Sequence, residues 1–503
     1  MLSDKMFSPS LEEIKNIAKN EEYKRIPVSY ELFSDIATPI EVLRVLKNIS
    51  KHCYMLESIE DAEKWGRYSF LGFNPLLEFT CQDGIVKIKG SENFDEFNDD
   101  EVTIETTNPS EIIKDLVNKN KSPKIDYLPP FTGGFVGYFA YDYIKYAEPS
   151  LNLDAENQDQ FKDIDLMLFD KVIAFDNFKQ KIILISNIKT DDLQSNYEKA
   201  CDDLKELADL IKNGKKAEIK PLKLKSDFKP VFSREKYCDM VLKAKNYIKE
   251  GDIFQVVLSN RIEADISGSL FDTYRVLRTT NPSPYMFYFS SDDIEIAGAS
   301  PETLVKLTDR KLFTFPLAGT RPRGKTDDED LELENELLAD EKELAEHNML
   351  LDLGRNDIGR ISEIGSVNVE KYLSIERFSH VMHIGSTVSG TLRSDLDSLV
   401  AIDSILPAGT LSGAPKIRAC EIINELEDNK RGIYGGAIGY VDLSGNIDTC
   451  ISIRIAFARN NKVFIRSGAG IVADSVPDKE FDECLNKAAA VINALEIANG
   501  GIE

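Results

Sequence analysis

Two segments carry paired carboxylates at helical spacing: Glu343-Leu-Ala-Glu346-His347 and Glu480-Phe-Asp-Glu483-Cys-Leu-Asn-Lys487. Residues three or four apart share a helix face, so each segment presents two carboxylates side by side, and Lys487 joins the second pair. Like charges this close repel, and a divalent cation between the two helices relieves the repulsion. All-oxygen donors select Mg2+ over zinc or copper. Either pair alone reads first as a solvated acidic face, the more so for the first, which lies within TDDEDLELENELLADEKELAEH. The second follows the glycine turn SGAGIVADSVPD, which has no reason to lie beside a merely solvated helix. That turn imitates a dinucleotide fingerprint, but Asp474 and Pro477 delay the helix past the point where its N-terminus would meet a pyrophosphate. Its backbone N–H groups can still hold a carboxylate.

Three of the four histidines, His347, His380 and His383, fall close together. His383 suits a general acid or base beside a metal-bound substrate, or a satisfied core histidine in an apolar stretch. The stretch PLAGTRPRG (316–324) concentrates two arginines in an acidic chain. Its Arg321 and Arg323 suit either an anionic ligand or the acidic helix that starts near Asp327. There is no Walker A loop, no H-E-x-x-H and no cysteine elbow of a glutaminase.

These residues need elements to hold them. Short helices are expected at 11–20 and 39–50, strands at 53–58 and through 67–90, and more strands at 133–142 and 166–188, the last read as the pair LMLFDKVIAFDN and KIILISNI. The acidic run near 95–101 reads as a loop. A helix of scattered leucines passing into a lysine-rich stretch, together 191–228, reads as a linker between an N-terminal domain (1–190) and a catalytic domain (229–503). Beyond it are expected a helix capped by Gly251, strands at 253–263, 285–289 and 294–297, one long helix over 329–353 stopped by Gly354, glycine-rich strands over 432–473, and a helix over 477–498. Helices and strands do not alternate regularly, which favours an α+β fold, a layered, sandwich-like sheet core flanked by helices.

The chain has 503 residues and a formal net charge of −25. That charge disfavours nucleic acid and anionic membrane surfaces. Seven scattered cysteines suggest neither disulfides nor zinc, and no run of about 18 apolar residues suggests a membrane span. A reduced, cytoplasmic protein is expected.

In order along the chain stand PLAGTRPRG, DEKELAEHNMLLDLGRND, HVMHIGSTVSG, GTLSGAPK, GIYGGAIGY, CISIRIA and SGAGIVADSVPDKEFDECLNKA. Together they resemble the chorismate-utilising enzymes, over about residues 229–497. MLESIE, GRYSFLG and GGFVGYFAYD resemble the N-terminal domain of the anthranilate synthase component I family, so the resemblance spans nearly the whole chain. It implies a component I-like fold and a Mg2+ site, with Glu346 and Glu483 as metal ligands and Glu343 and Glu480 holding the metal's waters. It implies that Tyr434, Arg454 and the amides of Gly468, Ala469 and Gly470 hold the enolpyruvyl carboxylate of chorismate, that Gly319, Thr320 and Thr410 line the substrate, that Lys487 balances charge and that His383 moves protons.

Family members that add water resemble KVVLSR where this chain has Gln255-Val-Val-Leu-Ser-Asn, and those that make aminodeoxychorismate resemble P-I-K-G-T where it has PLAGT. With Gln255 and Ala318 in place of both lysines, ammonia is the implied nucleophile. It would be supplied from glutamine by a separate amidotransferase subunit (component II) in a hetero-oligomer. The implied product is anthranilate, the first step of tryptophan biosynthesis. Aminodeoxychorismate or aminodeoxyisochorismate synthesis is the alternative within the family, and an amino-acid-binding regulator without catalysis the alternative outside it. Ser58, Pro284, Tyr285 and Met286 match the family's pocket for tryptophan as feedback inhibitor.

Overall fold

The computed structural model describes residues 7–58, 66–91, 101–378 and 381–502. Most of the acidic run near 95–101, and His380, lie outside them. Two large antiparallel sheets, of 14 and 12 strands, face each other. Aromatic and β-branched residues of both inner faces fill the space between, among them Tyr54, Phe70, Phe287 and Phe457 from the first sheet and Tyr138, Phe169 and Ile438 from the second. Helices cover the outer faces. Pro39–Ile49, Leu193–Asn213, Phe271–Thr280 and Pro477–Ala498 bury apolar stripes on the first sheet, and Pro109–Lys119, Glu341–Gly359 and Val400–Ile405 on the second. The expected α+β layered class is the one observed.

Strands from both ends of the chain share each sheet. In the first, Tyr285–Ser290 pairs with Cys53–Glu57, setting Met286 opposite Glu57. In the second, Ala437–Asp442 pairs with Gly134–Phe139. The segment 191–228 opens with the helix Leu193–Asn213, capped by Asp192, which buries Ala200, Leu204, Leu207, Ala208 and Ile211 at the spacing of one helix face. The lysine-rich remainder adds the short strand Lys223–Leu224 beside Ser267 and Ile266.

Two local expectations are corrected. LMLFDKVIAFDN is not one strand: Ile164–Phe169 lies in the second sheet and Lys171–Asp176 in the first, with the chain crossing at Asp170. The long helix is two helices, Asp327–Ala339 and Glu341–Gly359. Asp340 breaks the run: its backbone is extended, and its carboxylate accepts from the amides of Lys342 and Glu343 as an N-cap. Gly354 does not stop the second helix, which continues to Gly359, because a lone glycine costs a helix only about 1 kcal/mol.

Candidate active site

Four structural devices converge on one cavity of about 550 Å³. The first is a bulge in the strand Leu317–Pro322. Ala318 pairs with Ile384 and Arg321 with Met382, so Gly319 and Thr320 together oppose His383. Gly319 takes a φ of +67°, and a Cβ there would lie 3.2 Å from a carboxylate oxygen of Glu343. The bulge aims the Gly319 carbonyl at His383 Nδ1, 2.8 Å away, and puts Thr320 Oγ1 3.1 Å from the same nitrogen. A carbonyl only accepts, so Nδ1 carries the proton and Nε2 is a bare base. Burial, against the opposing hydrogen bond to Gly319 and with weaker repulsion from Arg454 and Lys487, holds the His383 pKa below its ordinary value.

The second device is the open edge of the strand Lys462–Ile471. It pairs with Gln255–Ser267, setting Gly470 opposite Val257, Ala469 opposite Leu258 and Gly468 opposite Ser259. Val257 N–H is donated to Ser412 O and Ser259 N–H to Glu427. Both residues therefore turn their backbone groups away from the Gly468–Gly470 stretch, and alternation makes the N–H groups of Gly468 and Gly470 point the opposite way. On that side the strand Ile455–Arg459 is paired no further than Ile465. Gly468 and Gly470 line the cavity, whereas Ala469 is buried and its amide belongs to the ladder with Leu258. Of the three residues whose amides are expected to form the cradle, Gly468 and Gly470 line the cavity.

The third device is the pair of helices bearing carboxylates. Glu343 and Glu346 project from Glu341–Gly359, Glu480 and Glu483 from Pro477–Ala498, and all four line the cavity. Burial raises the pKa of Glu343, Glu346 and Glu480, and Glu483 raises each of them further by repulsion. Lys487 Nζ sits 2.7 Å from Glu483 and 3.2 Å from Gly468 O. Among the described residues, no three His, Cys, Asp or Glu side chains close around one point as a complete metal cage. The donor set instead fits a hard cation that keeps most of its waters and takes one or two carboxylates, which is the habit of Mg2+.

The fourth device is the junction of the strands Ile447–Ile451 and Ile455–Arg459. There Arg454 adopts a φ of +52° and reaches the cavity. Among the described residues its guanidinium has neither a hydrogen bond nor an ion pair, and burial lowers its pKa. A half-buried cation that faces a cavity with no hydrogen bond or ion pair among the described residues, only the more distant attraction of Glu302, offers a place for an anion. Tyr434 and Thr410 line the same wall.

Sequence reasoning missed Glu302, in GASPETLV. It lines the cavity, accepts from Thr410 Oγ1 at 3.2 Å, and burial pushes its pKa up to about 8 against the opposing pull of Thr410, Arg454 and Lys487. A lone carboxylate in the Pro301-Glu302 link between two apolar strands was the available signal. Arg466 also lines the cavity and was not singled out. Arg321 and Arg323 lie outside it. Arg321 bonds Glu336 and Asp340, and Arg323 grips Asp330, so both arginines hold the helix Asp327–Ala339.

Ser58, Pro284, Tyr285 and Met286 lie together away from the cavity, at the Cys53–Glu57/Tyr285–Ser290 pairing. Ser58 Oγ is buried and has no hydrogen-bond partner among the described residues. Tyr285 OH bonds Thr303 Oγ1 at 2.9 Å and Asp448 at 2.8 Å.

The chain is 45% identical over 501 residues to anthranilate synthase component 1 of Acetivibrio thermocellus, covering 98% of this chain and 99% of that one. It is 44% identical to the Aquifex aeolicus protein of the same name, covering 97% and 98%. The crystal structure of anthranilate synthase component I from Streptococcus pneumoniae superposes with a TM-score of 0.73 at 36% identity, over 92% of this chain and 98% of that one. The model of the chorismate binding enzymes matches residues 51–493, and with the fold, the cavity and these relatives in agreement the chain belongs to that family.

Proposed function

We propose that the chain is the chorismate-converting large subunit of an anthranilate synthase, making anthranilate and pyruvate from chorismate and ammonia. The observation that carries this reading is the divided lining of the cavity. One part of its lining offers Arg454, without hydrogen bond or ion pair among the described residues, with the Gly468 and Gly470 amides, and another part four crowded carboxylates. A dicarboxylate fits that division. Arg454 and the amides take the enolpyruvyl carboxylate directly, since guanidinium and carboxylate match as planar partners. Glu346 and Glu483 would hold Mg2+ for the ring carboxylate, with Glu343 and Glu480 holding its waters. Bound there, the cation supplies Lewis acidity and orientation.

The chain's own groups then divide the proton work. Ammonia forms a bond to the ring carbon next to the carboxylate-bearing carbon, and the ring hydroxyl leaves as water. Glu302, protonated near neutrality, gives the leaving oxygen its proton, and a dianion nearby raises its pKa further. His383 Nε2 then takes the ring proton as pyruvate is eliminated and the ring becomes aromatic. Gln255 and Ala318 put no amine on their side of the cavity. Its two lysines, Lys342 and Lys487, stand among the carboxylates. Ammonia from a partner glutamine amidotransferase remains the nucleophile this arrangement serves.

Tryptophan would bind at Ser58, Pro284, Tyr285 and Met286, where the buried Ser58 hydroxyl lacks a partner among the described residues. A cytoplasmic setting agrees with seven free cysteines. Among the described residues, no helix is long and apolar enough to cross a membrane. The test is to supply chorismate, Mg2+ and an ammonium salt and follow anthranilate fluorescence. Chorismate consumed without a fluorescent product, with an amino adduct accumulating instead, would overturn the reading in favour of an aminodeoxychorismate-type synthase.

A further inference from the structure

Behind the glycine edge of the cavity lies a charge cluster that the proposed chemistry does not use. Glu427, Arg431 and Arg466 are each about 1% exposed. Glu427 serves both arginines, Arg431 Nη2 at 2.6 Å and Arg466 Nη2 at 2.7 Å. Arg431 also donates to Leu411 O and Val257 O, and Arg466 to Ser259 Oγ and Lys430 O. One carboxylate is thus shared by two guanidiniums, and the cluster keeps one uncompensated positive charge. The other charged group facing Arg466 is Arg261, which has its own partners in Asp159 and Glu263. Tyr434, packed on the cluster, stays neutral because burial raises its pKa.

The position of this excess matters. Residues two apart on a strand share a face, so Arg466, Gly468 and Gly470 form one row. Without side chains the two glycines make room on that row for Gln255 Nε2 and Tyr434 OH, and all three residues line the cavity. A Cβ on Gly468 would lie 3.1 Å from Tyr434 OH. The fixed charge therefore sits behind the wall to which the substrate's enolpyruvyl carboxylate is assigned above, where low dielectric lets it act at range.

Resting on that reading, we infer that Arg466 is a positioning residue for the substrate. With Arg431 it leaves the Glu427 cluster one positive charge in excess, and that charge draws the enolpyruvyl carboxylate onto Arg454 and the Gly468–Gly470 amides. Arg466 acts through its charge and is fixed by its hydrogen bonds, so it takes no part in proton transfer.

The experiment uses the full chain with Mg2+. Chorismate affinity is measured by calorimetry without an ammonia source, and KM and kcat separately with ammonium. Arg466→Gln is expected to weaken chorismate binding and raise KM about tenfold, with kcat changed less than about threefold. Arg466→Lys keeps the charge and should restore most of the affinity. The double variant Glu427→Gln/Arg466→Gln leaves Arg431 as the single excess charge and should also recover affinity, which a purely structural role would not do. It keeps the test open if Arg466→Gln alone folds poorly. Wild-type chain that binds no chorismate would overturn the reading on which the inference rests. Wild-type chain that binds it, with Arg466→Gln equal in affinity or neither rescue effective, would overturn the inference alone.

Discussion

The carbonyl of Gly319 accepts the Nδ1 proton of His383 at 2.8 Å, so the backbone of one strand sets the tautomer of a side chain on the next. The bulge makes this possible, and the φ of +67° at Gly319 makes the bulge possible. His383→Ala is expected to lower kcat by about 10²–10⁴ with little change in KM, as for loss of a proton-transfer group. Gly319→Ala should do similar damage indirectly, because its Cβ meets Leu337 and Glu343 and the backbone disfavours it. Steady-state anthranilate fluorescence reads both. A Gly319→Ala enzyme with wild-type kcat would mean that the carbonyl does not orient the imidazole.

Glu302 sets the alkaline side of the pH profile. Burial raises its pKa to about 8, so its acid form is present at neutral pH and lost as pH rises through that value. The His383 pKa is lowered, so its base form persists through neutrality and is lost only in acid. At fixed free ammonia, kcat/KM for chorismate should be bell-shaped, with its falling limb near pH 8, and the corresponding limb in kcat should lie higher. Glu302→Gln should lower kcat by about 10²–10⁴ and flatten that limb. If the limb stayed in place in Glu302→Gln, the acid would have to be another group.

Much of this site was legible from spacing. The two E-x-x-E segments place four carboxylates on two helix faces, and the structure brings those faces to one cavity. What spacing could not give is burial. Glu302 has no paired residue, and its meaning lies in the low dielectric around it, which appears only once two sheets close over it. Arg466 looked like an ordinary strand residue until Glu427, far away in sequence, proved to be shared with Arg431. The break at Asp340 was hidden because a run of acidic and leucine residues has high helix propensity throughout. There local capping by one carboxylate overrode the pattern. Ala469 shows a related limit: the motif places three amides in sequence, but strand alternation turns every second one the other way.

The crowding of Glu343, Glu346, Glu480 and Glu483 predicts a graded response to metal. Glu346→Ala and Glu483→Ala should abolish turnover, and EDTA should do the same reversibly to the unmodified chain. Glu343→Gln and Glu480→Gln should instead raise the Mg2+ concentration for half-maximal activity about 10–100-fold, as for groups that orient a ligand shell. The Mg2+ dependence of activity separates the two classes. Residual activity of Glu346→Ala within about tenfold of wild type, roughly 1.4 kcal/mol of barrier, would count against direct ligation.

Ser58 lies apart from the reacting groups, with its hydroxyl buried and unmatched among the described residues. Ser58→Phe should raise the tryptophan concentration for half-inhibition by more than about tenfold, a loss of over 1.4 kcal/mol of binding. It should leave kcat and KM for chorismate near wild type. Calorimetric titration with tryptophan gives the binding change directly. Unchanged inhibition in Ser58→Phe would place the inhibitor elsewhere.

Asp340 joins the arginine loop to the carboxylate-bearing helix Glu341–Gly359. Its Oδ1 accepts from the amides of Lys342 and Glu343, and its Oδ2 from Arg321 Nη2 at 3.0 Å. Arg321 in turn lies 3.8 Å from Glu343. The cap therefore fixes where the first turn of the helix Glu341–Gly359 begins, and with it the direction of Glu343 and Glu346. Asp340→Ala removes the cap and lets the two acidic helices merge into one continuous helix, which alanine favours. The expected result is a weaker Mg2+ response with secondary structure content unchanged or slightly more helical by circular dichroism. Asp340→Asn retains a capping oxygen and should behave nearly as wild type. If Asp340→Ala and Asp340→Asn impaired Mg2+ response equally, the charge that holds Arg321, rather than the cap, would be what positions Glu343.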